Sequence, residues 1–262
     1  MTAPGQTWAS QPYLDHISAG PSSHSSDAFD DARKHTQQPI VTGTSILGIR
    51  FKGGVMLASD TLASYGSLAR FMDVRRLISV EGANSIVGAS GDMSDFQHIQ
   101  HLIEKTMLQE FNEGDSHSLT PPQLYRSLSR TMYARRSKID PLWNSLVLGG
   151  VDPKTGESFL GYVDLLGTTY QSSTIATGFG LHLAQPLLRK AVEGRENEIE
   201  EEEAKKILQE CMKVLFYRDA RSLNRFQIAT VTKAGTHISE PQSVPTSWGF
   251  AEGLRGYGPQ TQ

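Results

Sequence analysis

Short runs of alternating apolar and polar residues, separated by turn residues, recur along most of the chain. Two such runs, Ser45–Phe51 and Val55–Ala58, flank the turn Lys52-Gly53-Gly54, which is the pattern of a β-hairpin. This hairpin places Thr44 at the start of one strand and Asp60 at the end of the other. Because antiparallel pairing brings those ends together, the pattern predicts a hydroxyl and a carboxylate in one pocket. The same stretch fits equally an ordinary hairpin with a surface threonine and a turn aspartate.

Farther along the chain, blocks of strand pattern alternate with pairs of helical patterns. Strands are predicted at Arg76–Val80, Ser85–Ser90, Ser145–Val151, Phe159–Asp164, Thr169–Ala176, Phe226–Thr232 and His237–Glu240. Helices are predicted from Gly91-Asp92 to Gly114, from Thr120 to a point before Asp140, near Leu181–Val192, and from Glu200 to about Arg218. Strands that follow one another in runs favour antiparallel sheets over βαβ crossovers. The order predicts an α+β fold, a four-layer αββα sandwich of two antiparallel sheets between helix pairs.

The ends of the chain differ in composition from its middle. Residues 1–35 are rich in serine and have little to bury, so we interpret them as a mobile leader or propeptide that is removed. Residues 36–243 have globular composition and are predicted to form one domain. Residues 244–262 are interpreted as a C-terminal docking extension. Four apolar residues in it are candidate partner-binding anchors: Trp248, Phe250, Leu254 and Tyr257. The alternative is a tail that folds back on its own helices.

Charge and composition exclude several classes of function. The formal net charge of -3 gives no basic footprint for nucleic acid, and the apolar runs are too short to span a bilayer. The single cysteine, Cys211, excludes an internal disulfide and suits a reducing compartment, so we expect a protein of the cytoplasm and nucleus. Asp95, His98 and His101 have helical spacing, but such histidines are mostly surface residues. We therefore predict no metal site and no cofactor.

Several segments of the chain resemble the proteasome β-subunit family. They are the Gly43-Thr44 strand start with Asp60, the segment Gly66–Phe71, the run Val87–Asp92, and the segment Tyr217–Ser222. The resemblance extends from Thr42 to about Glu240 and implies the same αββα sandwich, here called the N-terminal-nucleophile hydrolase fold. It also implies that the partners are other proteasome α and β subunits in a stacked-ring hetero-oligomer, and it allows assembly chaperones as further partners. Four further features look most like the seventh β position of the eukaryotic 20S particle, which resembles proteases without acting as one: Thr36–Ser45, the turn Ser64–Ser67, Asn144 and Ala176–Gly180.

The family resemblance also assigns roles within the pocket. Thr44 matches the nucleophile, whose own α-amine would act as the base after self-cleavage at Gly43-Thr44. Asp60 matches the carboxylate that orients the family's lysine. Asp219 and Ser222 match the supporting pair near the threonine amine, and Gly91 matches the glycine of the oxyanion hole.

Two departures from the family pattern predict a degenerate pocket. Arg76 stands where the family has its lysine, and an arginine stays protonated and cannot exchange a proton. Phe179 replaces the serine that completes the proton network, removing a hydroxyl and filling space that a water would occupy. We therefore expect a non-catalytic structural β subunit in ubiquitin-dependent protein degradation, contributing to ring assembly and ring–ring contacts. The alternatives are an active threonine peptidase that uses Thr44 and Arg76, and, more distantly, a free-standing amidohydrolase. With a non-catalytic pocket, the leader would be cut in trans near His35 and Thr36.

Overall fold

The computed structural model describes residues 38–115 and 117–249, and thirteen strands and five α-helices lie within these ranges. The strands are β1 Val41–Gly43, β2 Ile46–Phe51, β3 Gly54–Asp60, β4 Ala63–Tyr65, β5 Leu68–Phe71, β6 Leu77–Val80, β7 Ser85–Asp92, β8 Asn144–Val151, β9 Ser158–Val163, β10 Thr169–Gln171, β11 Thr174–Ala176, β12 Phe226–Thr232 and β13 Gly235–Ile238. The helices are α1 Met93–Glu113, α2 Pro121–Ser137, α3 Gly180–Leu183, α4 Gln185–Val192 and α5 Glu201–Arg218. A 3₁₀ turn, Glu81–Ala83, links β6 to β7.

All strand pairs in the described part of the chain are antiparallel, and they form two sheets. The eight-stranded sheet has the order β10-β9-β8-β7-β1-β4-β5, with β6 paired to the first half of β7. The five-stranded sheet has the order β11-β2-β3-β12-β13. Three apolar clusters lie between the layers: α1 and α2 pack on the eight-stranded sheet, the two sheets pack on each other, and α3, α4 and α5 cover the five-stranded sheet. The predicted four-layer αββα sandwich is confirmed.

Local sequence signals account for the ends of several elements. The first hairpin turns at Lys52 and Gly53, and Gly53 has the positive φ of 80° that this tight turn needs. The carboxylate of Asp92 accepts hydrogen bonds from the Ser94 and Asp95 amides and so caps α1. Thr120 begins α2 with the predicted capping box.

Two elements that were each predicted as continuous are divided in the structure. The predicted strand Thr169–Ala176 is two strands, since β10 joins the eight-stranded sheet and β11 the five-stranded one. The chain passes between the sheets at residues 172–173, and sequence periodicity carries no sign of such a crossing. The predicted helix Leu181–Val192 is also divided, into α3 and α4, and Pro186 lies in the first turn of α4. The short strands β1, β4 and β5 were not predicted.

Candidate functional site

A cavity of about 830 Å³ opens at the end of the sandwich where β1, the end of β7, α3 and the end of α5 meet. Four of the seven residues predicted for the pocket line it: Thr44, Gly91, Phe179 and Asp219. The other three, Asp60, Arg76 and Ser222, are not among its lining residues. The structure therefore separates the predicted group into residues that face the cavity and residues that support them.

The hydroxyl of Thr44 is bonded to a carboxylate across the cavity wall. Thr44 Oγ1 donates to Asp219 Oδ2 at 2.7 Å, and Asp219 Oδ1 accepts the backbone amide of Arg221 at 2.9 Å. Asp219 is the C-cap residue that directly follows α5, and it is buried. The second hydroxyl nearby, Ser45 Oγ, lies 3.5 Å from Thr44 Oγ1 and accepts the Gly180 amide at 2.8 Å. The threonine proton is thus directed at an aspartate.

Arg76 is fully buried, with 0% of its surface exposed, and its guanidinium is bonded to oxygen atoms on several sides. It forms an ion pair with the Asp60 carboxylate. Its Nη2 donates to the carbonyl oxygens of Thr44 and Ser45 at 2.7 and 2.8 Å, and its Nε donates to the Ala89 carbonyl at 3.3 Å. The partners of the guanidinium are thus a carboxylate and backbone carbonyls, and none of these bonds goes to the threonine hydroxyl. The guanidinium therefore fixes the position of the backbone at Thr44 and Ser45, directly before β2.

Burial shifts the ionisation of both members of this pair. Removal from water raises the pKa of Asp60 to about 6, although the charge of Arg76 and the Leu223 amide act to lower it. Burial lowers the pKa of Arg76, and the Asp60 charge opposes that change. Attraction between the two groups therefore offsets a large desolvation cost, so each depends on the other.

Ser222 does not reach the threonine. Its hydroxyl donates to the backbone carbonyls of Asp219 and Leu215, at 2.7 and 3.2 Å, and so satisfies the last turn of α5. The family resemblance matches Ser222 to a supporting residue near the threonine amine, and that role stays a prediction. The described contacts are a Thr44–Asp219 pair, an Asp60–Arg76 pair and a serine bonded to carbonyls at the helix end.

Gly91 lies where the chain ahead of the threonine joins the eight-stranded sheet. It has a φ of +94° and pairs with Gly43, while Thr42 pairs with Asp92 on one side and Ser64 on the other. The three residues before Thr44 are therefore strand β1, inserted between β7 and β4. The segment that self-cleavage would release is part of the sheet.

Phe179 lies at the rim of the cavity, immediately before α3, and 57% of its surface is exposed. The cavity also has lining residues that the sequence analysis did not assign to it: Trp143, His182, Arg218 and Arg221. Asn144 joins the start of β8 to the end of β7, because its Nδ2 donates to the carbonyls of Ser90 and Asp92. No spacing in the sequence connects these residues to Thr44, since they come from segments far apart in the chain.

The beginning of the C-terminal tail packs on the chain itself. The ring of Trp248 lies edge-on to Phe216 and Tyr217 of α5, with ring centroids 5.7 and 5.1 Å apart. The Ser247 amide donates to the Tyr217 hydroxyl at 2.8 Å. These contacts agree with a tail that folds back, as far as residue 249. The other three predicted anchors, Phe250, Leu254 and Tyr257, lie outside the described residues, as do His35 and Thr36.

The histidines of α1 bond to different partners. His98 lies 3.4 Å from Arg135, and His101 pairs with Glu104, while Asp95 accepts the Trp143 amide. Among residues 38–115 and 117–249, no group of three or more His, Cys, Asp or Glu side chains could hold a metal ion. Within the same ranges, no helix has the length and apolar character needed to cross a membrane.

A two-sheet sandwich with helices on both outer faces and a threonine between β1 and β2 belongs to the class of N-terminal-nucleophile hydrolase folds. The family described as proteasome subunit matches residues 40–231, and the chain belongs to this family as a β-type member. A probable proteasome subunit β type-7 of Schizosaccharomyces pombe is 52% identical over 90% of each chain. Proteasome subunit β type-4 of Xenopus laevis is 50% identical over 86% of this chain and 91% of the relative.

A third relative supports the same assignment. Proteasome subunit β type-7 of Saccharomyces cerevisiae is 45% identical over 86% of this chain and 87% of the relative. The resemblance to a proteasome β subunit, and among them to the seventh β position, is confirmed by these matches. Membership of the 20S core and assembly with other subunits in a multi-subunit particle follow from it.

Proposed function

We propose that this chain is a non-catalytic, structural β subunit of the 20S proteasome core. Its surfaces serve ring assembly and ring–ring contacts with the other α and β subunits, and it acts in the cytoplasm and nucleus. The observation that carries the proposal is the placement of Arg76. The residue in the lysine position is fully buried and bonded to Asp60 and to backbone carbonyls, while the Thr44 hydroxyl donates to Asp219.

The proton transfer that a threonine nucleophile requires supports a non-catalytic role for this chain. A threonine nucleophile needs a group that accepts its proton, and the family's base is the free α-amine of the threonine itself. As long as Gly43 stays attached, as proposed below for the mature chain, the nitrogen of Thr44 is an amide and cannot serve as that base. Arg76 has five donors and no acceptor, so it cannot accept the proton either. Loss of one member of a coupled catalytic unit lowers the rate by roughly 10⁴-fold or more. Here Arg76 and Phe179 stand in place of two members of the family's unit.

Replacing Thr44 by alanine tests this function directly. We expect particles that contain Thr44→Ala to hydrolyse every class of reporter peptide at the wild-type rate. The lost hydrogen bond to Asp219 should lower local stability by only about 1 kcal/mol, and Thr44→Ser, which keeps the hydroxyl, is the matched control. The measurement is peptidase activity of purified particles with equal subunit content. Selective loss of one substrate class in correctly assembled Thr44→Ala particles would show that the threonine is catalytic.

The mature chain is also proposed to begin ahead of Thr44, by a cut near His35 and Thr36 made by an active neighbour. The position of β1 supports this, because cleavage at Gly43 would remove a strand that pairs with both β4 and β7. Intact-mass and N-terminal peptide measurements on assembled particles should therefore find Val41–Gly43 still attached. A mature chain that begins at Thr44 would give the threonine its free amine and favour the active peptidase instead.

The tail from residue 244 to residue 262 remains part of the proposal as a docking extension. Its first residues are held on α5 through Trp248. The proposed contacts with another subunit are those of Phe250, Leu254 and Tyr257, which lie outside the described residues.

A further inference from the structure

The cavity beside Thr44 has the size of a ligand site, although Arg76 and Phe179 depart from the family's catalytic pattern. Its volume of about 830 Å³ lies within the range of pockets that bind small organic molecules, roughly 300–1,000 Å³. The side chains of Trp143 and Leu165 line it together with the ring of Phe179. The cavity therefore offers apolar surface as well as polar groups to a molecule that enters it.

Two side chains of the cavity lining have oxygen atoms that can accept hydrogen bonds from a ligand. The amide of Asn144 is oriented by its Nδ2, which donates to the carbonyls of Ser90 and Asp92. Its Oδ1 is buried and has no hydrogen-bond partner among the described residues, a cost that a bound donor would offset. Thr44 Oγ1 donates its own proton to Asp219, so toward a ligand this oxygen acts as an acceptor. Both oxygens suit the N–H groups of a peptide backbone.

The ionisable groups of the cavity lining are mainly basic. Arg218, Arg221 and His182 line the cavity, and all three are exposed to solvent. Among the described lining residues the one carboxylate is that of Asp219, which already accepts the Thr44 hydroxyl and the Arg221 backbone amide. The excess of positive charge favours a ligand that carries a carboxylate over a neutral or basic one.

From these groups we propose that the cavity binds, without cleaving it, a peptide segment that carries a carboxylate. Backbone N–H groups of the segment donate to Asn144 Oδ1 and Thr44 Oγ1, and its carboxylate faces Arg218 and Arg221. That carboxylate belongs to a glutamate or aspartate side chain or to the C-terminus of the peptide. This inference rests on the proposed function, because a working threonine would cleave the peptide that it binds. It gives the cavity of a non-catalytic subunit a binding role within a particle that degrades proteins.

Photolabelling of assembled particles tests this inference. The active threonines of the other subunits are first blocked with a threonine-directed covalent inhibitor, and short peptides that carry a photoreactive diazirine are then added. Two peptide amides differ only by glutamate or glutamine at one position, and a third peptide has glutamine and a free C-terminal carboxylate.

Mass spectrometry should find the label on residues that line the cavity of this chain. We expect the glutamate amide, the free acid or both to label them at least about fivefold more than the neutral amide, and this preference should decrease as salt rises. The more reactive of the two acidic peptides shows whether a side chain or the chain end supplies the carboxylate. Equal labelling by all three peptides, or no label on residues that line the cavity, would overturn the inference.

Replacing Arg221 measures the contribution of charge to this binding. Arg221→Gln should lower labelling by the acidic peptides about threefold, as expected for loss of one exposed ion pair, and labelling by the neutral amide much less. Arg130→Gln is the matched control, because Arg130 is exposed on α2 and does not line the cavity. Equal labelling of the two variants by the acidic peptides would refute the role of Arg221. Recovery of the bound peptide in cleaved form would contradict the proposed function but not the binding, so the two failures remain distinguishable.

Discussion

Replacing Arg76 by alanine should destabilise the chain by about 3–5 kcal/mol, the range expected when one partner of a buried ion pair is removed. The substitution leaves the Asp60 carboxylate buried without its counter-charge. It also removes the donors to the Thr44 and Ser45 carbonyls. The measurement is chemical denaturation of the full-length chain, with the fraction that enters particles as a second readout.

Two further variants separate charge from geometry at this position. Arg76→Lys restores the residue of the family pattern and keeps the charge, but a single ammonium cannot reach Asp60 and both carbonyls with the same fork. We expect it to remain less stable than wild type and to gain no peptidase activity. The double variant Arg76→Met with Asp60→Asn should cost clearly less than the sum of the two single variants, because neither charge is then left alone. If Arg76→Ala lowers the free energy of unfolding by less than about 1 kcal/mol, the bonds of the Arg76 guanidinium do not stabilise the fold.

Gly91→Ala is expected to lower stability by more than about 3 kcal/mol, combining backbone strain with steric overlap. Gly91 has a φ of +94°, and a Cβ there would overlap the carbonyl oxygen of Trp143. Gly53→Ala is the matched control, since Gly53 has a φ of +80° but a Cβ there would meet nothing within 4 Å. The control should lose only about 1 kcal/mol, the cost of the left-handed conformation alone.

The difference between the Gly91 and Gly53 variants measures the overlap with Trp143. Thermal or chemical unfolding of the two full-length variants under identical conditions gives that difference. Equal losses would mean that the chain relaxes around residue 91 at little cost. The expected result would explain the glycine at position 91 by backbone conformation and packing alone. The match of Gly91 to the family's oxyanion-hole glycine is therefore no evidence that its backbone amide stabilises an oxyanion.

Local patterns in the sequence were sufficient for much of this architecture. The Lys52-Gly53 turn and its flanking apolar runs predict the β2–β3 hairpin, and in the structure Ile46 pairs with Ser59. In the sequence, Gly114 marks the end of one helix and Thr120 the start of the next. In the structure, Gly114 is the C-cap residue of α1 and Thr120 is the N-cap residue of α2. These features depend on residues a few positions apart, so a single sequence contains the information they need.

The candidate site required more than local pattern. Family resemblance identified Arg76 and Asp60, but the bonds from the guanidinium to the carbonyls of Thr44 and Ser45 have no local signature. The family resemblance matches Ser222 to the pocket, but no local pattern shows that its hydroxyl donates to carbonyls at the end of α5. Side-chain direction at a helix end depends on which carbonyls lack partners there, and this is known only once the helix is placed.

The sequence by itself therefore determined the αββα layers, the helix ends and the presence of arginine where the family has lysine. Tertiary structure decided three further points: that β10 and β11 belong to different sheets, that β1 fills the gap between β4 and β7, and that Arg76 turns to the backbone while Thr44 turns to Asp219. Each of these depends on groups brought together from distant parts of the chain. Thr44 and Asp219 are 175 residues apart, and the bond between them exists only after the hairpin and α5 have packed.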